Sequence, residues 1–362
     1  MKRISSPRLS FLVAVVFGLA SGSSAYAQYP FRMPSPAFPS TVRPLAAFDA
    51  DADGDQDLFT ANGLYLNDGS GRFTAATGAV PSFALAAKFA RAADMDADGD
   101  LDLIVVNSAL SVHYNGGTGV FGVSVSPASS GGYGAPPPTH DSDLVVGDFD
   151  GDGLLDIAGP GGGFKVHLQS PPGVFTDVTA TLSTVIPAGG TPTLLTGGDL
   201  DGDGKFELLL DVAQSSVMLR HVGGAFVASV VAGGSIGAPH SAAAGDFDGD
   251  GRTDFVVSRT DFSVGPLDEF IRQPGGAVFA ILHARPYVAR LGAIDVGGDG
   301  RDDVLRSKWS GAVVIDYLTG ASLPAPPLVD DLPNAVGQGF PLGSGRGFVV
   351  FDADGDGDDD VA

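Results

Sequence analysis

The chain has 362 residues, of which 44% are hydrophobic, and a formal net charge of −23 with no cysteine. That apolar content builds a core and excludes a globally disordered chain, and the lack of cysteine excludes a disulfide scaffold. With only 20 Lys and Arg against 43 acids, the surface repels nucleic acid and anionic lipid and attracts cations.

Residues 1–27 carry Lys2, Arg3 and Arg8, an apolar run from Phe11 to Ala20, and a small-residue end at Ala25-Tyr26-Ala27. This is the pattern of a signal peptide, and it predicts export to the cell surface or beyond. The apolar run is too short to span a bilayer and no later segment resembles a membrane helix, so membrane insertion is not expected. Removing the three basic residues leaves −26. Residues 28–41 contain Pro30, Pro34, Pro36 and Pro39 and read either as a linker or as a strand that closes the fold.

From residue 42 to 362 one pattern recurs seven times, starting at Asp49, Asp94, Asp148, Asp199, Asp246, Asp295 and Asp352, with spacings of 45, 54, 51, 47, 49 and 57 residues. A period near fifty signals an array or propeller. Each start is preceded by a short apolar run such as Leu144-Val145-Val146. Each is followed by another, such as Leu103-Ile104-Val105-Val106, Leu208-Leu209-Leu210 or Phe255-Val256-Val257. Runs apolar on both faces suit strands packed between neighbouring sheets. A third strand leads to a Gly-rich turn closed by Phe, as in Leu64 to Phe73, Val112 to Phe121, Val166 to Phe175, Val217 to Phe226 and Phe270 to Phe279. A fourth, less regular segment completes the unit. The expectation is an all-β propeller of four-stranded blades. It has seven blades with the last truncated, or six closed by the terminal strand. Residues 122–142 and 321–345, rich in Gly, Ser and Pro, are read as long connections.

The acids fall at fixed places in a nine-residue loop. Positions 1, 3, 5 and 9 are Asp49, Asp51, Asp53 and Asp57 in the first loop and Asp94, Asp96, Asp98 and Asp102 in the second. The third has Asp148, Asp150, Asp152 and Asp156, and the fourth Asp199, Asp201, Asp203 and Glu207. The fifth has Asp246, Asp248, Asp250 and Asp254, the sixth Asp295, Asp299 and Asp303, and the seventh Asp352, Asp354, Asp356 and Asp360. A hard divalent cation takes six to eight oxygens. Alternate spacing lets three carboxylates converge, Gly at position 6 permits the sharp turn, and a backbone carbonyl at position 7 supplies another oxygen. Position 7 is Asp55, Asp100, Leu154, Lys205, Arg252, Arg301 and Asp358 in turn. Oxygen ligands without His or Cys point to calcium rather than zinc or copper, and magnesium prefers a stiffer octahedron. Up to seven calcium ions are expected, the sixth the weakest because Gly297 stands where a carboxylate should.

The run Gly245-Asp246-Phe247-Asp248-Gly249-Asp250-Gly251-Arg252-Thr253-Asp254-Phe255-Val256-Val257 resembles the FG-GAP/VCBS repeat family, related to the propeller of integrin α-chains. The resemblance covers about residues 42–362 and implies a propeller, usually of seven blades, with calcium in the hairpin loop between a blade's first two strands. The seventh loop departs from the pattern by stopping at Asp360-Val361-Ala362.

Nothing in the chain reads as catalytic machinery: there is no nucleophile elbow, zinc motif or phosphate loop, and nearly every Asp is taken up by the loops. His113 and His167 each lie eight residues before a repeat Phe and read as repeat geometry. His140 and His240 sit just ahead of strands, and Trp309 serves either the core or a ligand platform. The chain is therefore expected to be no enzyme but an exported, calcium-binding interaction or adhesion scaffold. The alternatives are a carbohydrate-binding lectin or the non-catalytic part of a larger secreted enzyme. Its partner is an unidentified protein or glycan, not nucleic acid.

Overall fold

The computed structural model describes residues 44–81, 87–127, 144–159, 164–188, 190–232, 239–261, 265–272, 277–282, 288–294, 301–308, 313–317, 328–330, 350–351 and 360–361. The segments read as signal peptide and Pro-rich linker lie outside them, as do His140, Trp309 and most of the sixth and seventh loops.

Among the described residues six antiparallel sheets follow one another along the chain, each a four-stranded meander. The first holds β1 (Pro44–Phe48), β2 (Asp57–Thr60), β3 (Gly63–Asn67) and β4 (Phe73–Ala75). The second holds β5 (Phe89–Ala93), β6 (Asp102–Val106), β7 (Leu110–Tyr114) and β8 (Val123–Val125), and the third β9 (Val145–Gly147), β10 (Asp156–Gly159), β11 (Lys165–Gln169) and β12 (Phe175–Asp177). After a single helical turn, α1 (Thr179–Leu182), come β13 (Thr193–Gly198), β14 (Glu207–Val212), β15 (Ser215–Val222) and β16 (Ala225–Ala232). The fifth sheet is β17 (Pro239–Gly245), β18 (Asp254–Asp261), β19 (Gly265–Arg272) and β20 (Ala277–Leu282). The sixth is β21 (Val288–Ile294), β22 (Asp303–Lys308), β23 (Val313–Tyr317) and β24 (Leu328–Asp330). A last hairpin pairs β25 (Val350–Phe351) with β26 (Asp360–Val361). Among the described residues no helix is long and apolar enough to cross a membrane.

Two stretches read from sequence as connections contain strands instead: Val123–Val125 and Leu328–Asp330 are the outer strands of their sheets. Three residues paired on one edge carry too short an alternation to stand out in a Gly- and Pro-rich segment. The helical turn was likewise not expected.

The hairpin that frames each acidic loop closes in the same register throughout. The residue before position 1 pairs with position 9: Phe48 with Asp57, Ala93 with Asp102, Gly147 with Asp156, Gly198 with Glu207, Gly245 with Asp254, Ile294 with Asp303 and Phe351 with Asp360. The ninth acid thus always opens the second strand.

Those second strands form the core. Along β6, Leu103 and Val105 pack with Phe48, Phe59 and Leu64 of the first sheet, whereas Ile104 and Val106 pack with Ile157 and Phe175 of the third. In β14, Leu208 and Leu210 join Val145 and Val166, and Leu209 joins Phe255 and Val257. Val256 turns the other way, toward Leu291 and Val304. Period-two side chains thus feed two neighbouring sheets, which is why these strands are apolar on both faces.

First strands meet one another in sequence: β1 lies against β5, β5 against β9, β9 against β13, β13 against β17 and β17 against β21, while β25 lies against β1. Successive meanders packed face to face by their first strands are the arrangement of a β-propeller. Close approach along this line demands small residues. A Cβ on Gly198 would lie 2.6 Å from Thr253 Cγ2, and one on Gly245 would lie 2.6 Å from both Ala293 Cβ and Asp302 Oδ2. Gly245→Val is accordingly expected to lower stability by about 1–3 kcal/mol through overpacking, read as a shift of the urea midpoint without change of slope.

Candidate metal centres

Five of the loops lie wholly within the described residues, and in each the chain's own amides organise the turn around position 1. Asp49 accepts the N–H of Asp53 at 3.2 Å and of Gly54 at 3.0 Å, and Asp94 accepts those of Asp98 and Gly99 at 3.1 and 3.0 Å. Asp148, Asp199 and Asp246 accept from Gly153, Gly204 and Gly251 at 2.9, 3.0 and 2.8 Å. The position 6 glycines hold φ between 81° and 98°, a left-handed backbone that a side chain resists. At position 5, Asp53, Asp98, Asp152, Asp203 and Asp250 each accept the N–H of position 7 at 2.9–3.0 Å.

This scaffolding gathers the carboxylates. Ligand oxygens lie within 4.8 Å of one another in the groups Asp49–Asp51–Asp53, Asp94–Asp96–Asp102, Asp148–Asp150–Asp156, Asp199–Asp201–Asp203 and Asp246–Asp248–Asp250. Positions 1 and 3 converge in each of these five loops, joined by position 5 in three and by position 9 in two. Asp51 and Asp201, both at position 3, each bury one oxygen without a hydrogen-bond partner among the described residues. Bare, buried carboxylate oxygens beside like charges suit a hard cation, so the donor set fits calcium. In the sixth loop only Arg301, Asp302 and Asp303 are described, and Asp295 and Asp299 lie outside, as do Asp352, Asp354, Asp356 and Asp358 of the seventh.

The position 9 acids organise the hairpin itself. Asp57, Asp102 and Asp156 are fully buried. One oxygen of each takes the N–H of position 2 (Ala50, Met95 and Phe149), all at 2.8 Å. The other takes an N–H at the end of the third strand, from Asn67, Asn115 and Gln169 at 2.8, 2.8 and 2.7 Å. Glu207, one methylene longer, accepts from Leu200 at 2.8 Å. Burial pushes the carboxyls of Asp57 and Asp102 up to about 6 and those of Asp156, Glu207 and Asp254 up to about 7, with the neighbouring loop acids adding to the rise. Burial first and adjacent acids second also raise Asp51, Asp96 and Asp150.

Adjacent loops are stitched together, a feature invisible in the single repeat. The N–H at position 8 donates to the position 1 carbonyl of the preceding loop: Phe206 to Asp148 at 2.8 Å, Thr253 to Asp199 at 3.2 Å and Asp302 to Asp246 at 2.9 Å. Position 7 side chains cross to the preceding position 4 glycine, where an added Cβ would stand 2.5 Å from Lys205 Cε on Gly151, 3.4 Å from Arg252 Nε on Gly202 and 2.8 Å from Arg301 Nε on Gly249. Position 7, expected from sequence to offer only its carbonyl, thus bridges neighbouring sheets with its side chain. In the earlier sheets an amide does this work: Asn115 Nδ2 donates to Ala50 O at 2.8 Å and Gln169 Nε2 to Met95 O at 3.2 Å. The sequence signal for these amides is their place six residues before the repeat Phe. His113 and His167 are buried at equivalent places on third strands, and Ser111 Oγ lies 2.9 Å from His113 Nε2. At 1% exposure this pair has no access to a substrate.

Two outcomes follow for the calcium-free protein. The position 9 carboxyls bind protons more tightly when folded than in an unfolded chain, where they titrate near 4. Stability therefore falls as pH rises from about 4 to about 7 and levels off above, so metal-stripped protein is expected to melt lower at pH 8 than at pH 5. Asp156→Ala strands two buried amides and is expected to cost about 2–4 kcal/mol even without metal. Asp152→Asn, exposed and still able to accept, is expected to change metal-free stability by less than about 0.5 kcal/mol. Urea unfolding of both variants in chelator checks the contrast.

The loops and their flanking strands coincide with what comparison finds. The FG-GAP-like repeat model matches residues 49–105 and 94–159, and the FG-GAP repeat model matches residues 238–279. No curated protein matches the chain. Among solved structures, the BP39L lectin from Burkholderia pseudomallei is similar at a TM-score of 0.56 and 14% identity, over 86% of this chain and 89% of that one. The Aleuria aurantia lectin, solved with Fucα1-6GlcNAc, matches at a TM-score of 0.43 and 13% identity, over 80% of this chain and 99% of that one. The acidic hairpins within residues 49–159 and 238–279 are thus those of a known repeat, and the chain carries FG-GAP-like and FG-GAP repeats there.

Proposed function

We propose that the protein is an exported calcium-stabilised β-propeller that acts as an interaction or adhesion scaffold rather than as an enzyme. The observation carrying this reading is the convergence of three carboxylates in every fully described loop, with buried bare oxygens at Asp51 and Asp201. Positions 1, 3, 5 and 9 would hold the ion together with the position 7 carbonyl, up to seven ions in all and the sixth held most weakly. Seven bound calcium ions would add about +14, countering much of the −26 that remains without residues 1–27. We assign the closing hairpin of Val350–Phe351 and Asp360–Val361 to a seventh blade, because β25 lies against β1. The signal-like pattern of residues 1–27 supports a location at the cell surface or beyond.

Calcium acts on stability through mass action. Extracellular modules bind at about 10⁻⁴–10⁻³ M, and at ten times Kd each site adds about 1.4 kcal/mol. Because the same loops stitch neighbouring sheets, the ions would brace the ring rather than isolated turns. Thermal melts in chelator and in millimolar calcium are expected to differ by many degrees, with calorimetric titration giving several ions per chain; coincident melts would remove the reading.

The second reading, a carbohydrate-binding propeller, draws on the shared fold with the Burkholderia lectin and on a polar cleft beside the loops. A glycan array decides between them: specific glycan capture favours the lectin, and its absence leaves the protein scaffold.

A further inference from the structure

The interfaces between neighbouring loops are not all alike. In the second and third sheets the residue six before the repeat Phe is Asn115 or Gln169, and its amide fills the seam by bonding back to the preceding loop. In the fourth sheet the residue six before Phe226 is Arg220. There the seam between the third and fourth sheets opens into a cleft of about 490 Å³, lined by Asp150, Asp201, Asp203, Lys205, Arg220 and His221. The Arg220 guanidinium makes no hydrogen bond or ion pair among the described residues. Lys205 lies over Gly151 and holds Asp203 at 2.7 Å. His221 is steadied by the edge of Phe226, with ring centroids 5.0 Å apart. The hairpin Val222-Gly223-Gly224 forms the rim, with Val222 54% exposed.

We propose that this cleft binds an acidic monosaccharide unit, a uronate, with its carboxylate on Arg220 and its hydroxyls on the loop carboxylates. This deepens the carbohydrate-binding reading and rests on it. A guanidinium without a protein partner in a concave polar site is a fork shaped for a carboxylate. Asp150 and Asp201 offer acceptor oxygens, which a ligand can use only if it also brings donors. Ring hydroxyls supply several such donors on one small rigid ring, more than the backbone N–H groups that flank the carboxylate of an acidic peptide, so the lining favours the sugar acid over the peptide. The exposed Val222 gives the C–H face of a pyranose an apolar shelf. The volume suits one or two sugar units rather than a polymer groove. Calcium in the third and fourth loops would neutralise carboxylates that otherwise repel the ligand's charge, leaving the cations of Arg220 and Lys205 dominant.

Saturation-transfer NMR titrations with methyl glucuronide, methyl glucoside and N-acetyl-aspartate amide, run on the mature chain in millimolar calcium, test this. The glucuronide is expected to bind at least tenfold more tightly than the glucoside, and Arg220→Ala to erase that preference without moving the calcium-dependent melting shift. Val222→Glu, at an exposed rim position, removes the shelf from both sugars but repels only the charged one, so it is expected to weaken the glucuronide severalfold more than the glucoside, and the test survives if the arginine variant misfolds. Equal binding of the two sugars, a preference that persists in Arg220→Ala, or stronger binding of the aspartate amide would overturn the proposal. Glucoside binding without a glucuronide preference defeats the uronate assignment alone, whereas binding of neither sugar defeats the carbohydrate-binding reading with it.

Discussion

A buried carboxylate at the start of the second strand in each of the six four-stranded sheets holds the repeat together. In the first three repeats it joins the amide of position 2 to an amide at the end of the third strand. One side chain thus fixes the loop's entry, the strand that leaves it and the next strand over. The constant register, with position 9 always opposite the residue before position 1, follows from this. Sliding the hairpin by one residue would turn the carboxylate out of its amides and the following apolar residues away from both cores. The cost of the arrangement is electrostatic, because a charged group sits buried beside three more acids, and its raised protonation range records that cost.

The same constraint explains why the loops look built for a cation. Amides of positions 4 to 7 are spent on positions 1 and 5, which gives those carboxylates their shape, but position 3 receives less. Asp51 and Asp201 keep an oxygen both buried and bare. A turn evolved only to be solvated would not bury acceptors among like charges. In the proposed calcium-bound form, proton and calcium would compete for one set of groups, because a cation binds the form that deprotonation produces.

Between repeats, the structure uses two kinds of stitch at one height. Early seams are closed by an amide from the third strand reaching a position 2 carbonyl. Later seams are closed by a position 8 amide on a position 1 carbonyl, with a long cationic side chain laid across a glycine. The third-to-fourth seam combines the second kind with an arginine at the amide position, and the cleft lies there. Variation in the stitch, rather than in the loop, sets one face of the ring apart from the rest.

Much was legible without coordinates. Seven acidic loops at a period near fifty, glycine at position 6 and two-faced apolar runs such as Leu103–Val106 dictate hairpins packed between sheets, because only strands of period two can feed two cores at once. The outer strands Val123–Val125 and Leu328–Asp330 were not legible, since a three-residue edge strand takes its order from the partner beside it rather than from its own pattern. Nor did spacing reveal that Lys205, Arg252 and Arg301 reach the preceding loop, or that Gly198 and Gly245 are small because the next sheet presses on them. Contacts between repeats depend on the angle and distance at which successive sheets stack. The sequence of one repeat sets the chemistry of its own loop; which neighbour that loop touches is decided only when the sheets come together.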